Sequence, residues 1–307
     1  MPPLKRAVAI TTLFNALCLL ASCGDQQDRG VIVGSASPAT VVANKLERQS
    51  QASMQIVANS GAQKVAGQHS QILFGDLHVH TTFSPDAFIM SVPFMGGSGL
   101  KSPADACDFA RYCSSLDFWS INDHAEGITP RLWQETRKSI RECNALSGDA
   151  ANPDLVAFLG WEWSQVSTDP SKHWGHKNVI FLDTADDAVP TRAIASPREQ
   201  LAKAPLGKMA QLLLTLSDFE NRAFYLGIQG YYDEIAQTPV CEPNVNTRKL
   251  PSDCLELAKD PRELFTKLDQ WGFNSIVIPH GNSWGLNTPA TTTFNKQLNR
   301  EQHDPAR

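Results

Sequence analysis

Gly75-Asp76-Leu77-His78-Val79-His80 ends an apolar run that opens at Ile72. Alternate residues of a strand point to one face, so an extended 72–80 segment turns His78 and His80 the same way, where one ion can take both. Four further segments end or begin in the same style. Residues 118–121 run into Asn122-Asp123-His124, and 155–160 run into Trp161-Glu162. A segment over 178–182 is preceded by Gly175-His176-Lys177, and 275–279 leads into His280-Gly281-Asn282. Strands whose termini carry the polar residues are the layout of a barrel that builds its site at one mouth.

Helix starts lie between these strands. Ser102-Pro103-Ala104-Asp105 combines a capping serine, a proline suited to the first helical position and an acid at the positive end. Phe109, Cys113 and Leu116 are then expected on one face. Thr129-Pro130 opens a second helix with Trp133, Thr136, Ile140 and Cys143 on one stripe, and Gly148 lies past its end. Ser196-Pro197-Arg198-Glu199 and Asp260-Pro261-Arg262-Glu263 carry capping-box patterns. Leu264, Leu268 and Trp271 give the last helix a buried side, which Gly272 ends. Continuous apolar strands between amphipathic helices predict an α/β protein with a parallel sheet covered by helices. Residues 185–255 read as a helical, loop-rich insertion, and no internal repeat is present.

The chain has 307 residues and eight histidines. Five of these, His78, His80, His124, His176 and His280, stand at strand termini. His69 and His303 lie in polar flanks, and His173 sits in an expected loop. A lone His-x-His or Asp-His is more often a core pair or a turn than a site; the chemistry is carried by their recurrence at one end of successive strands.

The segment from Gly75 to Asp86, with Thr81-Thr82-Phe83-Ser84-Pro85 before the acid, resembles the first motif of the PHP (polymerase and histidinol phosphatase) superfamily. Leu116 to His124 is similar to its second motif, and Glu162, His176 and His280 fit its next ligand positions in order. The match is nearest a group of large exported PHP-like bacterial proteins labelled as a domain of unknown function, and it covers residues 70–307. The resemblance implies a distorted (β/α)7 TIM-like barrel holding two or three divalent transition-metal ions (zinc, manganese or iron). By the same resemblance His78 and His80 bind the first ion, Asp86 and His124 the second, Glu162 bridges, and His176 and His280 hold the third. Asp123 orients His124 or a nearby water, which makes Asp123 and Glu162 the catalytic candidates, and Asp76 is supporting or structural. Mixed imidazole and carboxylate ligands suit these metals without selecting one. Clustered cations lower the pKa of water enough for hydroxide to attack phosphorus in line. The implied function is a metal-dependent phosphoesterase with a small-molecule phosphoester substrate.

Other features are set beside that reading. Lys177 and Arg131 are phosphate-clamp candidates by position only, with solvated surface charges as the plainer alternative. Gly96-Gly97-Ser98-Gly99 lacks the Lys-Ser/Thr of a phosphate loop. Trp161, Trp163, Trp174 and Trp284 neighbour the motifs and are read as core packing. Ser84 and Ser164 have no triad context, so serine hydrolysis is unsupported.

Lys5 and Arg6, the apolar stretch that follows, and Leu20-Ala21-Ser22-Cys23 read as a lipoprotein signal over 1–23, with Cys23 lipidated. The expected location is the periplasmic side of the outer membrane or the cell surface. Residues 24–70 read as a flexible tether and 71–307 as the hydrolase domain. Membrane contact is expected only through the lipid. The net charge of -5, without a basic block, gives no nucleic-acid patch. An exported chain permits disulfides. Cys241 pairs best with Cys254, Cys113–Cys143 is a second candidate, and buried free thiols are the alternative for Cys107, Cys113 and Cys143. The superfamily's final Asp-x-His is missing after His280 and the strands are too few for a closed barrel, so the expectation is an N-terminal portion of a longer protein. Two other readings stay open: an amidohydrolase-like enzyme, and a metal-binding surface lipoprotein without activity.

Overall fold

A computed structural model describes residues 28–60, 72–93, 96–148, 153–197, 207–281 and 288–290. The strands are β1 (Gly75–Val79), β2 (Phe118–Ile121), β3 (Val156–Gln165), β4 (Gly175–Phe181), β5 (Ile194–Ala195), β6 (Glu256–Leu257) and β7 (Ser275–His280). The α-helices are α1 (Ala39–Ser60), α2 (Pro85–Met90), α3 (Pro103–Asp108), α4 (Pro130–Ala145), α5 (Lys208–Ser217), α6 (Arg222–Gln237) and α7 (Pro261–Trp271). The mixed α/β expectation holds. Five strands in the order β1-β2-β3-β4-β7 form a sheet that curls into a half-barrel, and β5 and β6 pair separately.

The expected all-parallel sheet needs correction. The strands β1, β2 and β3 are parallel, but β4 runs antiparallel to both β3 and β7. The reason is the short 166–174 connection. A parallel return needs a crossover of about a dozen residues or more, usually a helix, and this loop holds none. β3 and β4 therefore make a hairpin with Glu162 opposite Asn178, and β4 meets β7 with His176 opposite His280. The reversal still delivers His176 to the right place, because the beginning of β4 lies beside the ends of β3 and β7.

Side-chain alternation divides the sheet. Trp119, Ile121, Ala157, Leu159, Trp161, Val179 and Phe181 are buried in the core. The Trp161 ring packs edge-on to Trp133 of α4 at 5.3 Å, and truncating such a buried aromatic costs about 3–5 kcal/mol. The other face carries Phe158, Glu162, Asn178, His176 and His280. Gly160 lies between β2 and β4, and a Cβ there would stand 2.5 Å from the Val179 carbonyl oxygen, so only glycine fits.

Helix ends follow the sequence signals. Ser102 accepts from Asp105 N in a full capping box, Thr129 from Leu132 N, and Asp260 from Glu263 N. Gly272 caps α7 with φ +68. The face expected after Ser102 is wrong: α3 passes into a π-turn over Phe109–Cys113, which rotates Phe109 and Cys113 outward and buries Cys107, Ala110 and Arg111. The cysteine pairing changes accordingly. Cys107 bonds Cys143, tying α3 to α4, and Cys113 is free and exposed. Cys241–Cys254 forms as expected.

The tether expectation also changes. Residues 28–60 dock on the domain, and α1 is part of that arm. Arg29 pairs with Glu135 at 3.1 Å, Ser37 N donates to Asp154, and Lys45 Nζ donates to the Asp154 carbonyl at 2.7 Å. Polar side chains rather than an apolar stripe make these contacts, which is why no hydrophobic period announced them. The signal segment with Cys23, residues 61–71, the helix expected after Pro197, Trp284 and His303 lie outside the described residues. No described helix is long and apolar enough to cross a membrane.

Candidate metal centre

Every ligand candidate named from the sequence comes to one end of the curled sheet. His78 and His80 leave β1, with rings stacked at 4.9 Å between centroids. Asp86 opens α2, Glu162 lies on β3, His176 begins β4 and His280 ends β7. His124 follows β2 and bridges to Glu162 across the sheet. Gly281 completes the packing: it has φ +62, and a Cβ there would come within 2.8 Å of the His176 ring.

Glu162 is the centre of the arrangement, at 1% exposure. Its Oε2 lies 2.8 Å from His80 Nε2 and 3.4 Å from His78 Nε2. Its Oε1 lies 3.2 Å from His280 Nε2 and in close contact with His176 Nδ1. Asp86 stands at the mouth, half-exposed, with one oxygen 3.3 Å from His80 Nδ1 and the other 3.4 Å from His124 Nε2. Among the described residues, three overlapping sets have the spacing to hold a cation: His78–His80–Glu162, His80–Asp86–His124 and His124–Glu162–His176.

The donor set fits a metal ion on a second ground. His80 Nε2 and Glu162 Oε2 are both buried, and neither makes a well-formed hydrogen bond despite their proximity. Two buried polar atoms that face each other off the hydrogen-bond axis are costly unless a third partner satisfies both, and a divalent cation does so.

The electrostatics are those of a carboxylate pair among imidazoles. Burial alone would raise Glu162, but its contacts with His176, His280 and His80 hold it well below the usual carboxylate range. Burial likewise opposes ionised Asp86, and His124 and His80 hold it well below that range too. Burial works against charged His80, yet Asp86 and Glu162 outweigh it and lift His80 to about 9. His124 is raised well above its ordinary value: burial opposes the charge, and contacts with Asp86 and Glu126 overcome it. His78 goes the other way, pushed down to about 4 by burial despite the Glu162 charge.

A family model described as protein of unknown function, DUF3604, matches residues 67–142. That stretch holds His78, His80, Asp86 and His124. No curated protein and no solved structure matches the chain.

Asp123 does not orient His124, one of its two expected roles. Its carboxylate accepts hydrogen bonds from Thr81 N and Thr81 Oγ1, not from His124. It therefore pins the turn after β1 and is a positioning residue. Complete burial lifts its pKa to about 6, with His80 and Thr81 working against that rise. Asp76 caps locally, accepting from His78 N at 2.9 Å. The two clamp candidates are engaged elsewhere. Lys177 is buried, with Nζ donating to the Trp174 carbonyl and lying over the Trp163 ring, and Arg131 pairs with Glu234 at 2.6 Å. Trp161 and Trp163 are core residues as read. His173 is buried with its ring on the Gly281 carbonyl, which supports the β7 end.

The sequence reading missed four contributors. Ser84 Oγ donates to Asp86 and lies 3.2 Å from His80 Nδ1. Ser164 Oγ sits among His124, His176 and Glu162, and Asn178 Nδ2 lies 3.1 Å from His78 Nδ1. Period-two alternation could have found two of them, since Ser164 follows Glu162 and Asn178 follows His176 on the same face. Glu126, in the turn after His124, had no such signal.

Proposed function

We propose that this chain carries the site of a metal-dependent hydrolase of PHP type, acting on small-molecule phosphoesters. In this reading it is exported and anchored by lipid at Cys23. The observation that carries the reading is Glu162: one buried carboxylate has four imidazoles drawn onto its two oxygens, with a second carboxylate, Asp86, at the mouth.

His78 and His80 with Glu162, Asp86 with His124, and Glu162 with His176 would hold two or three ions, with His280 beside the last. Zinc, manganese and iron all suit such nitrogen and oxygen ligands. Bound there, they supply Lewis acidity that makes water a nucleophile near neutral pH and neutralises charge on a phosphoryl group. The residues do the rest. Glu162 presents one oxygen to each side of the site and fixes the spacing. Thr81, held by Asp123, sets the path of the chain between His80 and Asp86. Asp86 and His78 are the more exposed members and mark the side from which substrate enters. Lys177 and Arg131 are committed elsewhere, so this reading assigns recognition of the phosphoryl group to the ions.

Turnover of a generic phosphoester by the purified chain, with manganese or zinc added, tests the reading. Activity that depends on metal and is lost in His80→Ala is the expected result. Activity unchanged in that variant would remove the assignment from this site, and metal uptake without turnover would favour a binding protein.

A further inference from the structure

The side-chain grouping leaves His124 with two possible duties. It belongs to the set with His80 and Asp86 through one side of its ring, and to the set with Glu162 and His176 through the other. A neutral imidazole has one nitrogen lone pair and serves one ion. Which nitrogen keeps the proton is set by what the other side of the ring faces.

Nδ1 of His124 faces oxygen. Ser164 Oγ lies 2.7 Å away, Glu126 Oε2 3.7 Å and Glu162 Oε1 4.0 Å. The two carboxylate oxygens can only accept, and the serine has one proton, which it can give to Glu162 Oε1 at 3.1 Å. Nε2 of His124 faces Asp86 Oδ2 at 3.4 Å. Glu126 is built into this wall. It is 4% exposed, and its Oε1 accepts from Ser164 N at 3.0 Å and Ser196 N at 2.8 Å. Its Oε2 is buried, takes no formed hydrogen bond and is turned towards His124. A buried, unpartnered carboxylate oxygen is costly to keep, and a donor on the adjacent ring nitrogen offsets that cost.

We infer that Glu126 is a positioning residue that holds the His124 proton on Nδ1, so that His124 offers Nε2 to an ion shared with Asp86. The inference rests on the metal reading above and deepens it. It takes His124 out of the set with Glu162 and His176, and leaves His280, 3.2 Å from Glu162 Oε1, to complete that one. The second carboxylate oxygen of Glu126, not the first, does the positioning.

Glu126→Gln separates the two oxygens. The amide oxygen still accepts from Ser164 N and Ser196 N, while the amide nitrogen turns a donor towards Nδ1 and drives the proton to Nε2. The experiment uses the full chain with 15N-labelled histidine and added zinc, read by long-range 1H–15N correlation and by zinc affinity. In the wild type the zinc-shifted nitrogen of His124 is expected to be Nε2. Glu126→Gln is expected to weaken one zinc site about 10–100-fold, the range for residues behind a metal ligand, with an unchanged thermal midpoint. Ser164→Ala is expected to keep the Nε2 assignment, because the carboxylate remains. Zinc on Nδ1 in the wild type, or unaltered zinc affinity in Glu126→Gln, overturns the inference and leaves the metal reading standing. A wild-type chain that takes up no zinc overturns both. The wild-type spectrum decides the assignment even if the variant fails to fold.

Discussion

Glu162 sets burial against charge on one side chain. Removing a carboxylate from water favours its neutral form, and the imidazoles around it favour the ionised one; here the imidazoles win. The same contest has the opposite result for His78, which burial pushes down to about 4, and the expected result for His80, which Asp86 and Glu162 lift to about 9. These directions predict how metal uptake depends on pH. A raised imidazole pKa means that in the metal-free protein His80 and His124 hold their protons at neutral pH, and an incoming ion must displace them. The contribution of His80 to the stability of the metal-free fold is complete below the ordinary value near 6.5 and is lost as pH rises through about 9, and that of His124 is likewise lost above its ordinary range. Metal affinity is therefore expected to climb over that window, with protons released on binding. Calorimetric titration of zinc in buffers of different ionisation heat measures this. An affinity flat between pH 6.5 and 9 would mean that His80 is not a ligand. At this scale the sequence was highly legible. His78, His80, His124, Glu162, His176 and His280 stand on or beside the strand ends read from the sequence, and Asp86, named through the motif resemblance, opens α2. Ser164 and Asn178 were readable from alternation and passed over. Glu126 was not readable, because a turn has no period.

At the scale of elements, the signals that worked are local and those that failed depend on partners. Caps at Ser102, Thr129 and Asp260 each use atoms within three residues, so sequence alone specifies them. The direction of β4 depends on whether 166–174 hides a crossover, and its shortness was the clue. The π-turn after α3 has no sequence signature, and it turned Cys113 away from the core and left Cys107 to meet Cys143. The Cys107–Cys143 bridge closes a loop with sequence separation 36. On the chain-entropy account such a bridge stabilises by about 3–4 kcal/mol. Cys107→Ser or Cys143→Ser is expected to lower the thermal midpoint by several degrees, while Cys113→Ser leaves it within error, Cys113 being free and exposed. Equal loss in Cys113→Ser and Cys107→Ser would contradict this pairing.

The whole molecule is organised by the two ends of one sheet. Chemistry-bearing residues collect where β1, β2, β3 and β7 end and β4 begins. At the other end, an apolar cavity of about 710 Å³ is lined from all five strands and the segments leading into them, by Leu73, Leu77, Phe118, Phe158, Ile180 and Ile276 among others. Phe158 and Glu162 share one face of β3, as Ile276 and His280 share one face of β7, so cavity and site lie on the same inner face. Among the described residues, Leu73 and Ile276 at this end stay 49% and 47% exposed. An open cavity lined by apolar side chains can take an apolar ligand. The purified chain is expected to bind an environment-sensitive apolar dye at this end, with blue-shifted emission. Ile276→Asp is expected to weaken that binding several-fold. Because Ile276 is half-exposed, the thermal midpoint should change by no more than about 0.5 kcal/mol implies. Zinc affinity should be untouched, since the substitution shares no partner with the ligands. His280→Ala should give the converse, weaker zinc and unchanged dye. If Ile276→Asp leaves the dye signal intact, the dye is bound elsewhere and the inner face is not open in solution. If it weakens zinc as well, the two ends of the face are not independent, and the sheet transmits strain along its length.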